Sequence, residues 1–266
     1  MNLPRLLCGR QLVGRMVAIV LMVASLAPLA SHARTLEEIK AKGSISMCAN
    51  PDSLPYASAK ADPPGFQIEI GKAIAQGLGV SLDLQWIVPR RRASLVNCDI
   101  LVDSINDPEI YEGKLLLSHP YQYGGIALAV GPSGKGAQGF DDVPKGQKVG
   151  VMVGSLASVV LGKRGITTSP SAFEIDLLDD LAKGELYGAA VGHATVAYYI
   201  RQHPEAGLTL VPVYGKEREL TWTVAIGLRK SDQALVAAVN QIVDRMMEDG
   251  TMAAIYGRYG VEYRRP

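Results

Sequence analysis

The chain has 266 residues, 48% of them hydrophobic and 20% charged, with 27 Lys and Arg against 26 Asp and Glu. This near-balance, with no basic stripe interleaved with aromatic residues, argues against nucleic acid as a partner. The length suits one large domain or two lobes of about 100 residues each.

The first 33 residues read as a secretory signal. Arg5, Arg10 and Arg15 give a positive start without an acidic residue, Met16 to Ala30 is almost purely apolar, and Ser31-His32-Ala33 places small residues where a signal peptidase reads them. The apolar run is shorter than the ~20 residues a membrane-spanning helix needs. Cys8 precedes that run, so it cannot be the acylated cysteine of a lipoprotein. Cleavage after Ala33 removes three basic residues and no acidic one. The mature chain is then slightly acidic, and it is expected to be a monomer free in the periplasm, not embedded in a membrane.

Beyond the signal, strand patterns alternate with helix patterns, the mark of an α/β fold. Residues 44–49 read as a strand. A helix follows the turn Asp62-Pro63-Pro64-Gly65, with Phe66, Ile70, Ala73, Ile74 and Leu78 at helical spacing and Gly79 where a left-handed cap belongs. In the next strand Val80, Leu82, Leu84 and Trp86 point one way, and Ser81, Asp83 and Gln85 the other. Further strands are expected at 99–104 and 125–130. The polar, glycine-rich stretch Gly131 to Gly139 reads as the first crossover between lobes.

A second alternating unit follows. It comprises a strand at 148–153, helices at 155–163 and 175–183, a strand at 189–191, a helix at 195–202 and a strand at 208–213. Residues 220–228 read as a long strand returning to the first lobe. Ser231 is the expected N-cap of the last long helix, whose buried face is Leu235, Val239, Ile242, Val243 and Met246, with Gly250 as its stop. A short helix at 251–256 finishes the chain. The expected architecture is therefore α/β and two-lobed, each lobe a mixed sheet flanked by helices, with a two-strand hinge. Residues 34–130 and 224–266 form a discontinuous first lobe, and 131–223 form the second. Two crossings make a hinge, and closure around a ligand is its mechanical consequence.

Outside the signal, Cys48 and Cys98 remain. An even pair in an oxidising compartment points to a disulfide, and two buried free thiols are the alternative. Neither cysteine lies near a histidine or another cysteine, and His119, His193 and His203 are isolated, so no metal or other cofactor is expected.

Several short motifs follow one another in order: Thr35-Leu-Glu-Glu-Ile-Lys-Ala-Lys-Gly43, Pro55-Tyr56, Gly65-Phe66, Ser118-His-Pro-Tyr121, Val149-Gly-Val151 and Asp249-Gly250. Their order resembles the family 3 solute-binding proteins, receptors of amino-acid-type ABC importers, over the whole mature chain. A narrower resemblance is carried by Cys48-Ala-Asn-Pro-Asp-Ser-Leu-Pro-Tyr56, Trp86, Arg90-Arg91 and Cys98-Asp99. It is to the binding proteins encoded beside quinoprotein alcohol dehydrogenases, the methanol-dehydrogenase accessory type, although the segment between Trp86 and Cys98 is shorter here. These resemblances imply a type II periplasmic binding protein without a catalytic centre. Its partners would be a small solute and an ABC permease, or a periplasmic quinoprotein dehydrogenase.

The family's usual arginine would follow the third strand, where Asn106-Asp-Pro-Glu-Ile-Tyr111 stands, and no arginine occurs between Arg92 and Arg164. Its usual aspartate would follow strand 189–191, where Gly192-His193 stand. A receptor that buries a zwitterion needs both charges, because a buried unpaired charge costs several kcal/mol. The solute is therefore expected to be small and polar or anionic, other than a standard amino acid.

Candidate contacts lie beyond the carboxyl ends of the strands. Tyr56 is either an aromatic wall or a packing tyrosine. Tyr121, with Tyr123, is placed near the cleft rim. Arg90 and Arg91, with Arg92, meet a carboxylate or an acidic partner, or form a solvated loop. Gly154 and Ser155 open a helix whose N–H groups suit an anion, unless Ser155 simply caps it. His193 is a ligand contact or a plain helix-start residue. Gly154-Ser-Leu-Ala-Ser158 lacks the second glycine of a nucleophile elbow, so no enzyme is expected. The enzyme alternative is a periplasmic dehydratase on the same scaffold, with Glu109 as its acid.

Overall fold

The computed structural model describes residues 34–87, 98–214, 216–229 and 231–266. Residues 1–33, where a secretory signal is expected, and Arg90, Arg91 and Arg92 lie outside the described residues. Among those described, no helix is long and apolar enough to cross a membrane.

Local chemistry sets the first element. In α1 (Leu36–Lys42), Thr35 Oγ1 accepts from the Glu38 N–H at 3.2 Å, and the Glu38 carboxylate accepts from the Thr35 N–H at 2.7 Å. This reciprocal capping box satisfies two N-terminal donors, and Gly43 closes the other end in the left-handed conformation.

The first sheet runs β4 (Ser81–Trp86), β1 (Ser44–Ala49), β5 (Ile100–Ile105), β12 (Thr221–Arg229). β1 is parallel to β4 and β5, and β12 is antiparallel to β5. The second runs β7 (Gln122–Val130), β10 (Gly188–Gly192), β8 (Lys148–Met152), β9 (Thr167–Ser171). The last three are mutually parallel, and β7 is antiparallel to β10. β6 (Leu115–Leu117) pairs with β12, β11 (Thr209–Val211) pairs with β7, and β2 (Asp52–Ser53) and β3 (Ala57–Ser58) form a separate hairpin.

β7 belongs to both sheets. Residues 122–125 pair with β12, and residues 126–130 pair with β10. The chain thus passes between sheets inside β7, not in the glycine-rich stretch 131–139. That stretch leads instead into Phe140, which is buried in the core of the second sheet. Gly125 permits the close pairing at the passage: a β-carbon there would stand 2.6 Å from the Leu220 carbonyl oxygen.

Helices α2 (Phe66–Leu78), α6 (Gln233–Glu248) and α7 (Thr251–Arg258) cover the first sheet, burying Ile70, Ile74, Leu235, Val239, Val243 and Tyr256. Each such aliphatic side chain contributes about 1.5–3 kcal/mol by leaving water. Residues from both ends of the chain therefore build one core. Helices α3 (Leu156–Lys163), α4 (Glu174–Ala182) and α5 (His193–Gln202) flank the second sheet. Asp232, not Ser231, caps α6: its carboxylate accepts from the Leu235 N–H at 2.8 Å. An aspartate at this place adds a favourable charge at the positive helix end.

Cys48, in β1, and Cys98, just before β5, form a disulfide with Cα atoms 5.6 Å apart. Beside it, Asp99 is only 7% exposed. Its carboxylate accepts from the Ser46 N–H and hydroxyl at 2.7 Å each and from Arg34 Nε at 3.0 Å, and Arg34 also ion-pairs with it through Nη2.

Candidate functional site

Tyr56 lies in the β2–β3 hairpin, and the first turn of α2 fixes it there. The Phe66 N–H donates to the Pro55 carbonyl at 2.9 Å and the Gln67 N–H to the Tyr56 carbonyl at 3.0 Å. Gly65 makes this approach possible. It sits at φ 108, and a β-carbon there would meet the Tyr56 carbonyl oxygen at 2.4 Å. The Tyr56 ring packs 5.0 Å from Phe66, which packs 4.5 Å from Tyr256.

The Tyr56 hydroxyl reaches the other core, where β10 ends at Gly192 and α5 begins. A β-carbon at Gly192 would stand 2.7 Å from Tyr56 Oη, 3.3 Å from Thr195 Oγ1 and 3.4 Å from Glu174 Oε2. The missing side chain at 192 is thus what admits the phenol. Glu174, the first residue of α4, accepts from the Gly192 N–H at 2.9 Å and from the Thr195 hydroxyl at 2.6 Å. Both donors are neutral, and among the described residues no cation ion-pairs with Glu174. Burial, reinforced by the Glu174 charge, holds the Tyr56 phenol well above its ordinary range, so it remains protonated.

His193 is the first residue of α5 and only 6% exposed, with its ring 5.0 Å from that of Tyr214. Burial, helped by the Arg264 charge, lowers its imidazole to about 4. Burial also pushes the Tyr214 phenol up to about 12. An imidazole near 4 when folded and 6.5 when unfolded stabilises the fold fully above pH 6.5, and that stability is lost as pH falls towards 4. Between pH 7.5 and pH 5 the protein should lose about 2 kcal/mol more unfolding free energy than His193→Gln in urea titrations. Equal losses would place the pH sensitivity elsewhere.

The remaining candidates separate from this constellation. Tyr121 is not at a rim. It is 1% exposed, donates its hydroxyl to the Val102 carbonyl and its N–H to the Val224 carbonyl, and belongs to the first core. Tyr121 immediately precedes β7 and is buried, whereas Tyr123, within that strand, is exposed. Ser155 caps α3, its hydroxyl accepting from the Ser158 N–H at 3.2 Å. Its chain neighbours Met152, Val153 and Leu156 are exposed. Glu109 stands exposed in a 3-10 turn. Glu174 and Thr195 escape the sequence reading. An acidic residue in a first helical turn normally signals only the helix dipole, and nothing local aims it at a glycine 18 residues on.

Residues 45–262 match the model of the bacterial extracellular solute-binding proteins, family 3. A probable histidine-binding protein of Neisseria gonorrhoeae is 22% identical, over 80% of this chain and 81% of its own. A membrane-bound lytic murein transglycosylase F of Yersinia pestis (strain Pestoides F) is 28% identical over 84% of this chain, but the match takes in 47% of that enzyme. Among solved structures, an ancestral cationic amino acid solute binding protein superposes with a TM-score of 0.73 at 20% identity, over 85% of this chain and 99% of that one. That likeness shows the expected two-lobed α/β fold. With most of its length matched, the chain belongs to the bacterial extracellular solute-binding proteins, family 3.

Proposed function

We propose that the protein is the exported receptor of an ABC importer and that its solute carries a positively charged nitrogen. The carrying observation is the Glu174 carboxylate, held by two neutral donors beside Gly192 and faced by the Tyr56 hydroxyl of the other core. A carboxylate so placed keeps lone pairs for an ammonium or guanidinium, and charge-assisted hydrogen bonds are the strong ones. This departs from the polar or anionic solute expected from the sequence. Glu174 brings to the end of β10 the negative charge that residue 192 lacks. The histidine and cationic amino acid in the names of two relatives support the same class. In this reading residues 34–125 with 221–266 close against 126–220.

Calorimetric titration of the mature protein with L-arginine, L-histidine, putrescine and the nitrogen-free dicarboxylate glutarate tests this. Amines are expected to bind and to stabilise the fold by about 2.7 kcal/mol at a concentration 100 times Kd. Glu174→Gln is expected to weaken them by about 10–150-fold, the range for a lost hydrogen bond to a charged group. Binding of glutarate, which has no nitrogen, with no response to the amines would overturn the assignment.

The accessory role beside a quinoprotein alcohol dehydrogenase is the second reading. Its support is the Cys48–Cys98 pairing, formed within the stretch that carries that narrower resemblance. Co-purification with a periplasmic quinoprotein, together with silence across the solute panel, is its expected signature.

A further inference from the structure

We propose that the C-terminal strap, with Arg264 as its key residue, and Arg201 of α5 latch the two cores together and set how readily the cleft opens. The inference rests on the two cores moving as lobes, but not on which solute they hold.

The strap is fixed to the first core. The Tyr263 hydroxyl donates to the Tyr121 carbonyl at 2.6 Å, the Tyr123 N–H donates to the Arg264 carbonyl at 2.9 Å, and the Tyr263 ring stacks on Tyr256 at 5.5 Å. From this anchorage Arg264 lays its guanidinium 4.7 Å from the centre of the Tyr214 ring. Tyr214 follows β11 and Val213, a residue of the second core, and its ring centre lies 5.0 Å from that of His193. A cation from one core thus rests on an aromatic ring of the other.

A second bolt lies on α5. This helix packs on β7 and β10, yet Ala194, Ala197 and Tyr198 face the first core. Arg201 Nη1 donates to the Gly257 carbonyl at 3.0 Å. The stem of Arg201 lies against Gly260, where a β-carbon would stand 2.6 Å from its Cδ. Tyr198 comes within 6.5 Å of Tyr259, ring to ring.

Parting the cores breaks both contacts. Neither involves Tyr56, Glu174 or Thr195, so the latch biases the conformational equilibrium without adding to the ligand contacts. A guanidinium–tyrosine stack, here with the arginine side chain 35% exposed, shifts such an equilibrium by about 2–5-fold.

The test is double electron–electron resonance on the solute-free mature protein. Spin labels go on Lys72→Cys in α2 and Lys163→Cys in α3, both exposed sites. The native cysteines stay joined and unlabelled. Arg264→Ala should raise a second distance population about 2–5-fold. Tyr214→Leu should do the same, and the pair together should do no more than either alone. Arg264→Lys, which keeps the charge but loses the planar stack, should fall between. Adding Arg201→Ala to Arg264→Ala should raise the population further. Distributions that superimpose on the parent's in every variant, or Arg264 and Tyr214 effects that simply add, overturn the latch. The labels report without solute, so a failed solute titration leaves this result to stand or fall by itself.

Discussion

Joint replacement of Cys48 and Cys98 by alanine is expected to lower the unfolding free energy by about 4 kcal/mol, the loop-closure value for a bridge across 50 residues. The tethered loop contains the β2–β3 hairpin, α2 and β4. Of these, β4 is, among the described residues, an edge strand paired with β1 alone, and its Trp86 is exposed. Elements on an edge have few other contacts to hold them, so freeing the unfolded chain is not offset elsewhere. Both cysteines are buried, and the small side chain of alanine avoids placing a polar group there. Urea titrations of the parent and the double variant check the difference. A loss below about 1 kcal/mol would show that chain entropy does not dominate at this bridge.

Asp99→Ala should cost about 3–5 kcal/mol, the range for removing one partner of a buried ion pair. The carboxylate accepts from Arg34, from the Ser46 hydroxyl and from the Ser46 N–H, with Asp99 itself buried and Arg34 partly exposed. Alanine leaves the Ser46 donor and a guanidinium stranded. Replacing both charges together, as in Arg34→Met with Asp99→Leu, should recover part of the loss, because no buried charge is then left alone. Asp99 adjoins Cys98, so its effect and that of the disulfide should not add. Full additivity in the combined variant would show that β1 and β5 are pinned at two independent points.

Local signals carried much of the fold into the sequence. The apolar spacing from Phe66 to Leu78 and from Leu235 to Met246 describes helices that form with those faces buried, and Gly43 and Gly79 end helices because only glycine takes φ near 70° without cost. Polar β9 gave no such signal: Thr167-Thr-Ser-Pro-Ser171 lies at a sheet edge, where proline is tolerated and burial is partial. The passage between sheets was hidden as well, because it occurs within one unbroken strand, with no turn or charge run to mark it. In the site, Tyr56 was legible because it follows a strand end. Gly192 was read as a missing charge. What sits there is decided by tertiary contact, with the Tyr56 phenol arriving from a hairpin 136 positions earlier and the Glu174 carboxylate from another helix.

β12 lies between β5 and β7 in the first sheet, although it is made from residues 221–229. A ribosome delivers this chain from its N-terminal end, so the strands on both sides of that gap exist long before their partner. Until about nine-tenths of the chain has emerged, β5 lacks its neighbour on one side and α2 lacks the helices α6 and α7 that pack on it. Such long-range closure folds slowly and leaves apolar surface open to wrong partners while it waits. A chain cut short before residue 221 should therefore be a substrate for chaperones and proteases, not a smaller stable protein.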